Sequence, residues 1–386
     1  MSAAKPFVLH WGIIGAGGIS SRFVEDLVLH PEGRGTTDVA HAVAAVGSRS
    51  LDKAQEFIQK YCPEGGFAQK AGLTSTKSVA RGSYAEVYSD PNVDIIYVGT
   101  PHSCHFEDAK NALDAGKHVL LEKPATLNQA EFEVLSKLAK SKNLFLMEAV
   151  WTRFFPLTFA LEDVLFKQEA IGEIRRLQSD FSIDFIDVLD NESHRMLNIN
   201  LAGGGLLDLG PYPLVWALLL LYNHPQNGRT PPTNIKASME KYKTGVDLHT
   251  NWTLDFPRIG KTGARAVLST SINVNSPLDV VTRIQGTKGE ILLPWATARP
   301  DRFTIRRSKV GRGPQEYTEE IKVIPIQGMG LNWEADAVAR DIRDGKIENA
   351  RMPHADTLLE LAIFDEVRRQ GGYVFPEGME KVKLST

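Results

Sequence analysis

Hydrophobic and polar positions follow one pattern before about residue 150 and another after it. In the first part, short, nearly continuous apolar runs alternate with stretches of helical period. Val8–Ile14 reads as a strand and Ser21–Leu29 as a helix; Ala40–Gly47 is a second strand and Asp52–Tyr61 a second helix. Ile95–Gly99 and Val119–Leu121 continue the strands, and His105–Ala115 and Gln129–Ser141 the helices. Strands apolar on both faces, each followed by a helix, predict a parallel sheet covered on both sides.

The second part alternates with period two over longer segments: Ile174–Ile186, Ile235–Tyr242, His249–Phe256, Ala264–Val274 and Asp279–Ile284. These predict a mostly antiparallel sheet, with a turn at Gly286-Thr287-Lys288-Gly289 and late helices over Trp333–Arg343 and Asp356–Gln370. Such a sheet, helix-covered on one face, needs its other face buried, and a second subunit is the simplest cover. The expected fold is therefore α/β plus α+β. A doubly wound Rossmann domain spans residues 1–148, and a domain with a large open sheet spans residues 149–386, with the late helices free to pack back on the first. Gly33–Thr37 and Asn227–Thr233 read as surface loops.

The length of 386 residues suits two domains, and 42% apolar with 24% charged residues is an ordinary globular balance. A net charge of -3 offers no basic field for nucleic acid or an anionic membrane, so the expected partner is a small molecule. Leu214–Tyr222, the longest apolar stretch, is roughly half of what a bilayer requires and reads as a core helix. No signal peptide precedes the first strand, and Cys62 and Cys104 make no disulfide framework; a cytoplasmic location follows as an expectation.

Gly15-Ala16-Gly17-Gly18-Ile19-Ser20 lies between the first strand and first helix. Gly15 permits the tight turn, and Gly17 and Gly18 let backbone approach a pyrophosphate at the helix N-terminus. Ser20 stands where a third small residue packs helix on strand. The second strand ends in Gly47-Ser48-Arg49-Ser50 rather than in a carboxylate. Ser48 and Arg49, with Lys53 a turn later, suit a ribose 2′-phosphate and favour NADP; Ser50 as a cap with Arg49 solvated is the plainer alternative, and Asp52 keeps NAD open.

Glu122-Lys123-Pro124 ends the fourth predicted strand, at the edge where doubly wound sheets bind ligands, and the proline restricts the direction of Lys123. Gly203-Gly204-Gly205-Leu206-Leu207-Asp208-Leu209-Gly210-Pro211-Tyr212 is the second cluster, with Asp208 and Tyr212 four apart and on one side of a helical turn. A helix cap and a core tyrosine are the bland readings. Moving a phenol from pKa 10 toward 7 needs about 4 kcal/mol. An ammonium roughly 4 Å away supplies about that much at an effective dielectric near 20. Lys123 polarising Tyr212 as a general base is thus energetically sufficient. His102-Ser103-Cys104-His105 has no second ligand group of matching spacing, so no metal is expected. His105 reads instead as a cofactor-side or helix-start residue.

The glycine motif, Thr100-Pro101, Glu122-Lys123-Pro124 and Asp208-x-Gly-x-Tyr212 together resemble the Gfo/Idh/MocA oxidoreductase family. Met147–Pro156 narrows the resemblance to the branch of dimeric dihydrodiol dehydrogenases and NADP-dependent D-xylose 1-dehydrogenases. The resemblance implies Lys123 and Tyr212 as the catalytic pair and a homodimer through the open sheet. It also implies Thr100, Pro101, His102, His105 and Glu122 beside the cofactor with Gly15–Ile19, Ser48, Arg49 and Lys53. Asp208 would contact sugar hydroxyls or orient the tyrosine, Trp151 and Arg153 would lie beside nicotinamide or substrate, and Phe181 or Phe185 would line the pocket. The activity implied is oxidation of D-xylose at C1 to xylonolactone. Oxidation of trans-dihydrodiols to catechols is the rival, and a non-catalytic cofactor sensor is the contrasting reading.

Overall fold

The computed structural model describes residues 5–185, 191–308 and 316–383. The chain divides into two compact units. One comprises Met1–Phe154, Ile326–Leu358 and Lys381–Thr386, and the other Phe155–Pro325 and Leu359–Glu380.

In the first unit, strands β1 (Phe7–Ile14), β2 (Val39–Gly47), β3 (Val79–Arg81), β4 (Ile95–Val98), β5 (His118–Glu122) and β6 (Leu146–Ala149) form one parallel sheet in the order β3-β2-β1-β4-β5-β6. Helices α1 (Gly18–Leu27), α2 (Leu51–Tyr61), α3 (Phe67–Lys70), α4 (Tyr84–Tyr88), α5 (His105–Asp114) and α6 (Gln129–Ser141) connect them. Every residue of β2 is buried, which explains its unbroken apolar run. Strand order reverses between β1 and β4, the point where such sheets open a crevice at their carboxyl ends.

The second unit contains α7 (Pro156–Glu162), β7 (Ile174–Ser182), α8 (Gly205–Asp208), α9 (Pro211–Ala217) and β8 (Thr233–Lys241). It continues with β9 (Asp247–Phe256), β10 (Ala264–Ser271), β11 (Thr282–Gly286), β12 (Gly289–Leu293), β13 (Arg302–Ser308) and β14 (Tyr317–Val323). Its eight strands run β14-β13-β12-β11-β7-β10-β9-β8, antiparallel except for the β7–β10 pair. The predicted strand from Ile174 ends at Ser182, and its predicted last residue, Ile186, lies outside the described residues. Helix α9 packs on β7 and β10 and continues as a wider turn through Leu218–Tyr222, every residue of it buried. Ile199–Tyr222 is long and apolar enough by composition to cross a membrane, and its apolar window is wholly buried within the fold.

Two helices close the chain, α10 (Asn332–Arg343) and α11 (His354–Gly371). Helix α10 belongs to the first unit, and two carboxylates bind it there. Asp26 of α1 accepts the backbone N–H groups of Met329, Gly330 and Leu331 at 2.8, 2.7 and 2.8 Å, satisfying donors just ahead of α10. Asp336 of α10 accepts from Arg34 Nε and Nη2, Thr36 Oγ1 and His41 Nε2, all at 2.7–2.9 Å. Trp11 donates to His41 Nδ1 at 3.2 Å, which leaves the imidazole proton on Nε2, facing Asp336. The Arg34 guanidinium and His41 hold the Asp336 carboxyl well below its usual range despite burial. The segment Gly33–Thr37 is therefore no plain surface loop, because Arg34 and Thr36 turn inward onto α10. Asn227 in the second expected loop is likewise buried, and its amide bonds Tyr222 O and Thr230 O at 2.9 and 2.8 Å.

Candidate functional site

The first unit builds a cradle at the start of α1. Gly15 takes φ +83°, and a β-carbon there would collide with Gly99 O at 2.6 Å, so only glycine allows β1 to turn this close to the end of β4. Ser20 is fully buried, donates to Gly15 O at 2.5 Å, and fills the space beside Gly99 that a side chain on Gly99 would need. The serine thus packs helix on strand and closes the turn as well. Gly17 and Gly18 have open space where side chains would stand. The N-cap Gly17 provides no side-chain cap, and no acidic residue occupies the first turn. Uncapped N–H groups, a favourable helix dipole and open glycines fit a dinucleotide pyrophosphate. Ile19, inside that first turn, is half-buried.

At the neighbouring strand end, Ser48 is buried, with its N–H on Arg81 O at 3.3 Å, while Arg49 and Lys53 are exposed. Neither has a carboxylate partner among the described residues. Ser50 holds the N-cap position of α2 and makes no side-chain cap bond, so the capping alternative is met in place but not in bonding.

The ends of β4 and β5 are cross-tied. Tyr97 donates to Glu122 Oε1 at 2.5 Å, and the Lys123 N–H to Glu122 Oε2 at 3.2 Å. Thr100 Oγ1 donates to Asp108 at 2.7 Å, and Pro101 is the residue before the 3-10 turn His102–Cys104. His105, the first residue of α5, is fully buried, with Nδ1 2.8 Å from Pro124 O and Nε2 2.9 Å from Thr100 O. Burial lowers its pKa to about 3, against two carbonyls that favour the protonated ring. Its ring thereby spaces the Thr100 turn from the Lys123–Pro124 turn. The His102 ring lies across it with centroids 5.6 Å apart. Cys104, half-buried, has its thiol pKa raised by burial.

Trp151 and Arg153 occupy a buried 3-10 turn, Trp151–Phe154. Arg153 has 0% side-chain exposure and pairs with Asp356 at 2.7 Å, and its Nη1 also donates to Arg351 O at 2.9 Å. The sequence places it beside nicotinamide or substrate, and in the structure it forms this internal ion pair. Nearby, burial raises the Glu148 carboxyl to about 7 while the Ala125 N–H donates to it at 2.9 Å.

In the second unit, Gly204 takes φ +107°, and a side chain there would strike the Asp247 carboxylate. Asp247 is buried and accepts the Leu206 N–H and Thr250 Oγ1, both at 2.8 Å, which locks the glycine run; burial raises its pKa to about 6. Asp208 ends α8, and Tyr212 lies in the first turn of α9. Two short helices joined at Leu209-Gly210 replace the expected single turn. Asp208 is gripped by Arg195, Nη1 to Oδ1 at 3.0 Å and Nη2 to Oδ2 at 3.1 Å. Phe181 meets Tyr212 edge-on and also packs on Trp295, with 5.3 Å between centroids in each pair. Phe185 is half-buried beside His194. Sequence reasoning misses Arg195 and Trp295. The one signal for Arg195 is a lone cation shortly before a glycine run that ends in a carboxylate.

Comparison with known proteins agrees with this construction. Residues 9–150 match the model of an oxidoreductase family with an NAD-binding Rossmann fold, and residues 164–292 match the GFO/IDH/MocA C-terminal domain. The chain is 40% identical to a D-xylose 1-dehydrogenase (NADP(+)) of Hypocrea jecorina, over 98% of this chain and 95% of that protein. It is 36% identical to a trans-1,2-dihydrobenzene-1,2-diol dehydrogenase of Sus scrofa, over 96% of this chain and 98% of that one. Among solved structures, a 3-ketoreductase from Actinomadura kijaniata in complex with NADP and TDP-benzene superposes with a TM-score of 0.74 at 23% identity, covering 95% of this chain and 98% of that one. That likeness is one of fold. By sequence over both units, the chain belongs to the Gfo/Idh/MocA oxidoreductase family.

Proposed function

We propose that this protein oxidises D-xylose at C1 to D-xylonolactone with NADP. The observation that carries the reading is Tyr212, a buried phenol four residues beyond Asp208, which Arg195 grips. The uncapped α1 terminus and exposed Arg49 support NADP as the cofactor. When bound, NADP supplies the acceptor for the hydride from C1.

The chain's own residues handle the proton and the positioning. Tyr212, as phenolate, takes the proton of the C1 hydroxyl while the C1–H bond gives up its electron pair, and the C1–O bond becomes the lactone carbonyl. Lys123 is the cation assigned to lower the tyrosine's pKa, and Glu122 and His105 set the turn that bears it. Asp208 holds a substrate hydroxyl, and Trp151, Phe181 and Phe185 line the pocket. Arg153 anchors the Trp151–Phe154 turn through its buried pair with Asp356.

A second reading has its own observation. The edge-on Phe181–Tyr212 pair with Trp295 behind it offers an apolar wall suited to an unsaturated ring, and so supports oxidation of trans-dihydrodiols to catechols. Absorbance of NADPH, followed against a panel of aldoses and benzene dihydrodiol, tests both. Absence of turnover with every pentose and hexose would sink the first.

We further propose a homodimer through the open sheet, supported by Tyr317, Ile321 and Val323 exposed on β14. Sedimentation of the native protein at twice the chain mass is expected. The cytosol is the proposed location, supported by the unpaired thiols of Cys62 and Cys104.

A further inference from the structure

The turn from Lys123 to Ala125 has two backbone donors, because Pro124 between them has no N–H. Each donor is held by a buried carboxylate. The Lys123 N–H donates to Glu122 Oε2 at 3.2 Å, and the Ala125 N–H to Glu148 Oε1 at 2.9 Å. Glu122 ends β5, and Glu148 stands on β6 across from Leu121 in the parallel register. Strand β6 is an edge of its sheet, yet Glu148 is fully buried, since the start of α11 covers it. His354 Nε2 lies 2.8 Å from Leu146 O, and the Thr357 hydroxyl faces the Glu148 carboxyl.

The charges around Glu148 do not balance. Arg153 faces it from the turn after β6, but that guanidinium already pairs with Asp356 at 2.7 Å. Glu122 faces it from β5 with a further negative charge, and Glu131 of α6 is turned to the Leu127 N–H at 3.1 Å. Of the two carboxylates on the lysine turn, Glu122 is the better supported anion, because the Tyr97 hydroxyl donates to it at 2.5 Å. Glu148 is therefore the one that takes a proton. Burial, reinforced by the Glu122 charge, raises its pKa to about 7. A neutral carboxyl accepts the Ala125 N–H more weakly than a carboxylate does.

We propose that Glu148 is a positioning residue for the catalytic lysine: ionised, it clamps the Ala125 end of the Lys123 turn, and neutral, it loosens that hold. The inference rests on the dehydrogenase reading above, with Lys123 as its cation. It gives turnover a sensitivity to acid separate from the titration of Tyr212.

The test measures kcat and KM of the whole protein from about pH 6 to pH 8 in wild type, Glu148→Gln and Thr357→Val. Glutamine keeps an acceptor for Ala125 and cannot ionise, so it imitates neutral Glu148. The ratio of wild-type to Glu148→Gln kcat should lie within about twofold of unity at the acid end and rise to about 5- to 10-fold at the alkaline end, the difference between a charged and a neutral acceptor. KM for NADP should stay unchanged, and the titration of Tyr212, common to both proteins, cancels in the ratio. Thr357→Val removes a hydroxyl that favours ionised Glu148 and should move the acid limb of kcat to higher pH. Infrared spectra give a readout independent of turnover: a protonated-carboxyl band should fade across the same pH range in wild type and be missing from Glu148→Gln. A kcat ratio constant with pH would mark Glu148 as purely structural and overturn the inference alone. An unmoved limb in Thr357→Val would do the same, and decides the matter if Glu148→Gln does not fold. No turnover of any alcohol at any pH would end the dehydrogenase reading and the inference with it.

Discussion

The rings of Phe181 and Tyr212 meet at 88°, with centroids 5.3 Å apart, so the β7 side chain fixes the plane of the phenol on α9. Phe181 is nearly fully buried, and its removal opens a cavity as well as freeing the tyrosine. Phe181→Ala should lower unfolding free energy by about 3–5 kcal/mol, and Phe181→Leu by much less. Urea titration of the two variants checks the order. Equal, negligible losses would place the ring outside the core.

Arg49 has no carboxylate partner among the described residues and stands exposed at the end of β2. Arg49→Ala should weaken NADP binding by about 10- to 100-fold and leave NAD nearly untouched, since a charge-assisted bond is worth about 1.5–3 kcal/mol. Fluorescence titration with both dinucleotides reads the ratio. An unchanged ratio removes Arg49 from 2′-phosphate recognition.

Tyr212→Phe keeps the ring and deletes the base. Turnover should fall by about 10²–10⁴-fold while the dissociation constant for NADP stays within a factor of a few. Near-normal turnover would take Tyr212 out of the chemistry.

Arg153 and Asp356 form an ion pair with 0% exposure on either side chain. Breaking one side leaves a buried charge, so Arg153→Met should cost about 3–5 kcal/mol of stability. A variant with unaltered thermal unfolding and lost turnover would contradict this packing role and restore a place beside the substrate.

Asp247 gives a pH signature. Its folded pKa, about 6, lies above the unfolded value of 3.8, so between those values the folded state binds the proton and the unfolded state does not. The Asp247 contribution therefore favours folding most below pH 4 and declines as pH rises to about 6, by roughly 2–3 kcal/mol. Asp247→Asn cannot titrate. The stability of wild type relative to this variant should accordingly shrink from pH 4 to pH 7, as denaturant titrations at both pH values would reveal. A constant difference would mean that Asp247 titrates normally.

Much of the Rossmann half was legible because its strands are apolar throughout and its helices periodic; α6 runs over Gln129–Ser141 as its pattern predicts. Strand β6 was not, since four buried residues carry no periodicity. Strands β13 and β14 escaped for a different reason. They are held by cross-strand pairs such as Arg306–Glu319 and Arg307–Glu320, so charges stand where an apolar face would be sought. In the site, the glycines, Asp208 and Tyr212 announce themselves by local spacing. Arg195 is defined only by the carboxylate it folds back to meet. An arginine among aromatics reads as a ligand contact, and the Arg153 pairing with Asp356, far along the chain, has no local sequence signal.

The carboxylates of Asp26 and Asp336 join the start of the chain to a helix near its end. During synthesis, the nucleotide-binding half thus leaves the ribosome lacking its last helix, and the intervening sheet must be translated before that helix arrives. Until then Asp26 has no amides to accept and Arg34 no anion to meet. A fragment ending at Phe154 should accordingly behave as an incomplete, chaperone-dependent intermediate, which makes the order of translation part of how this enzyme matures.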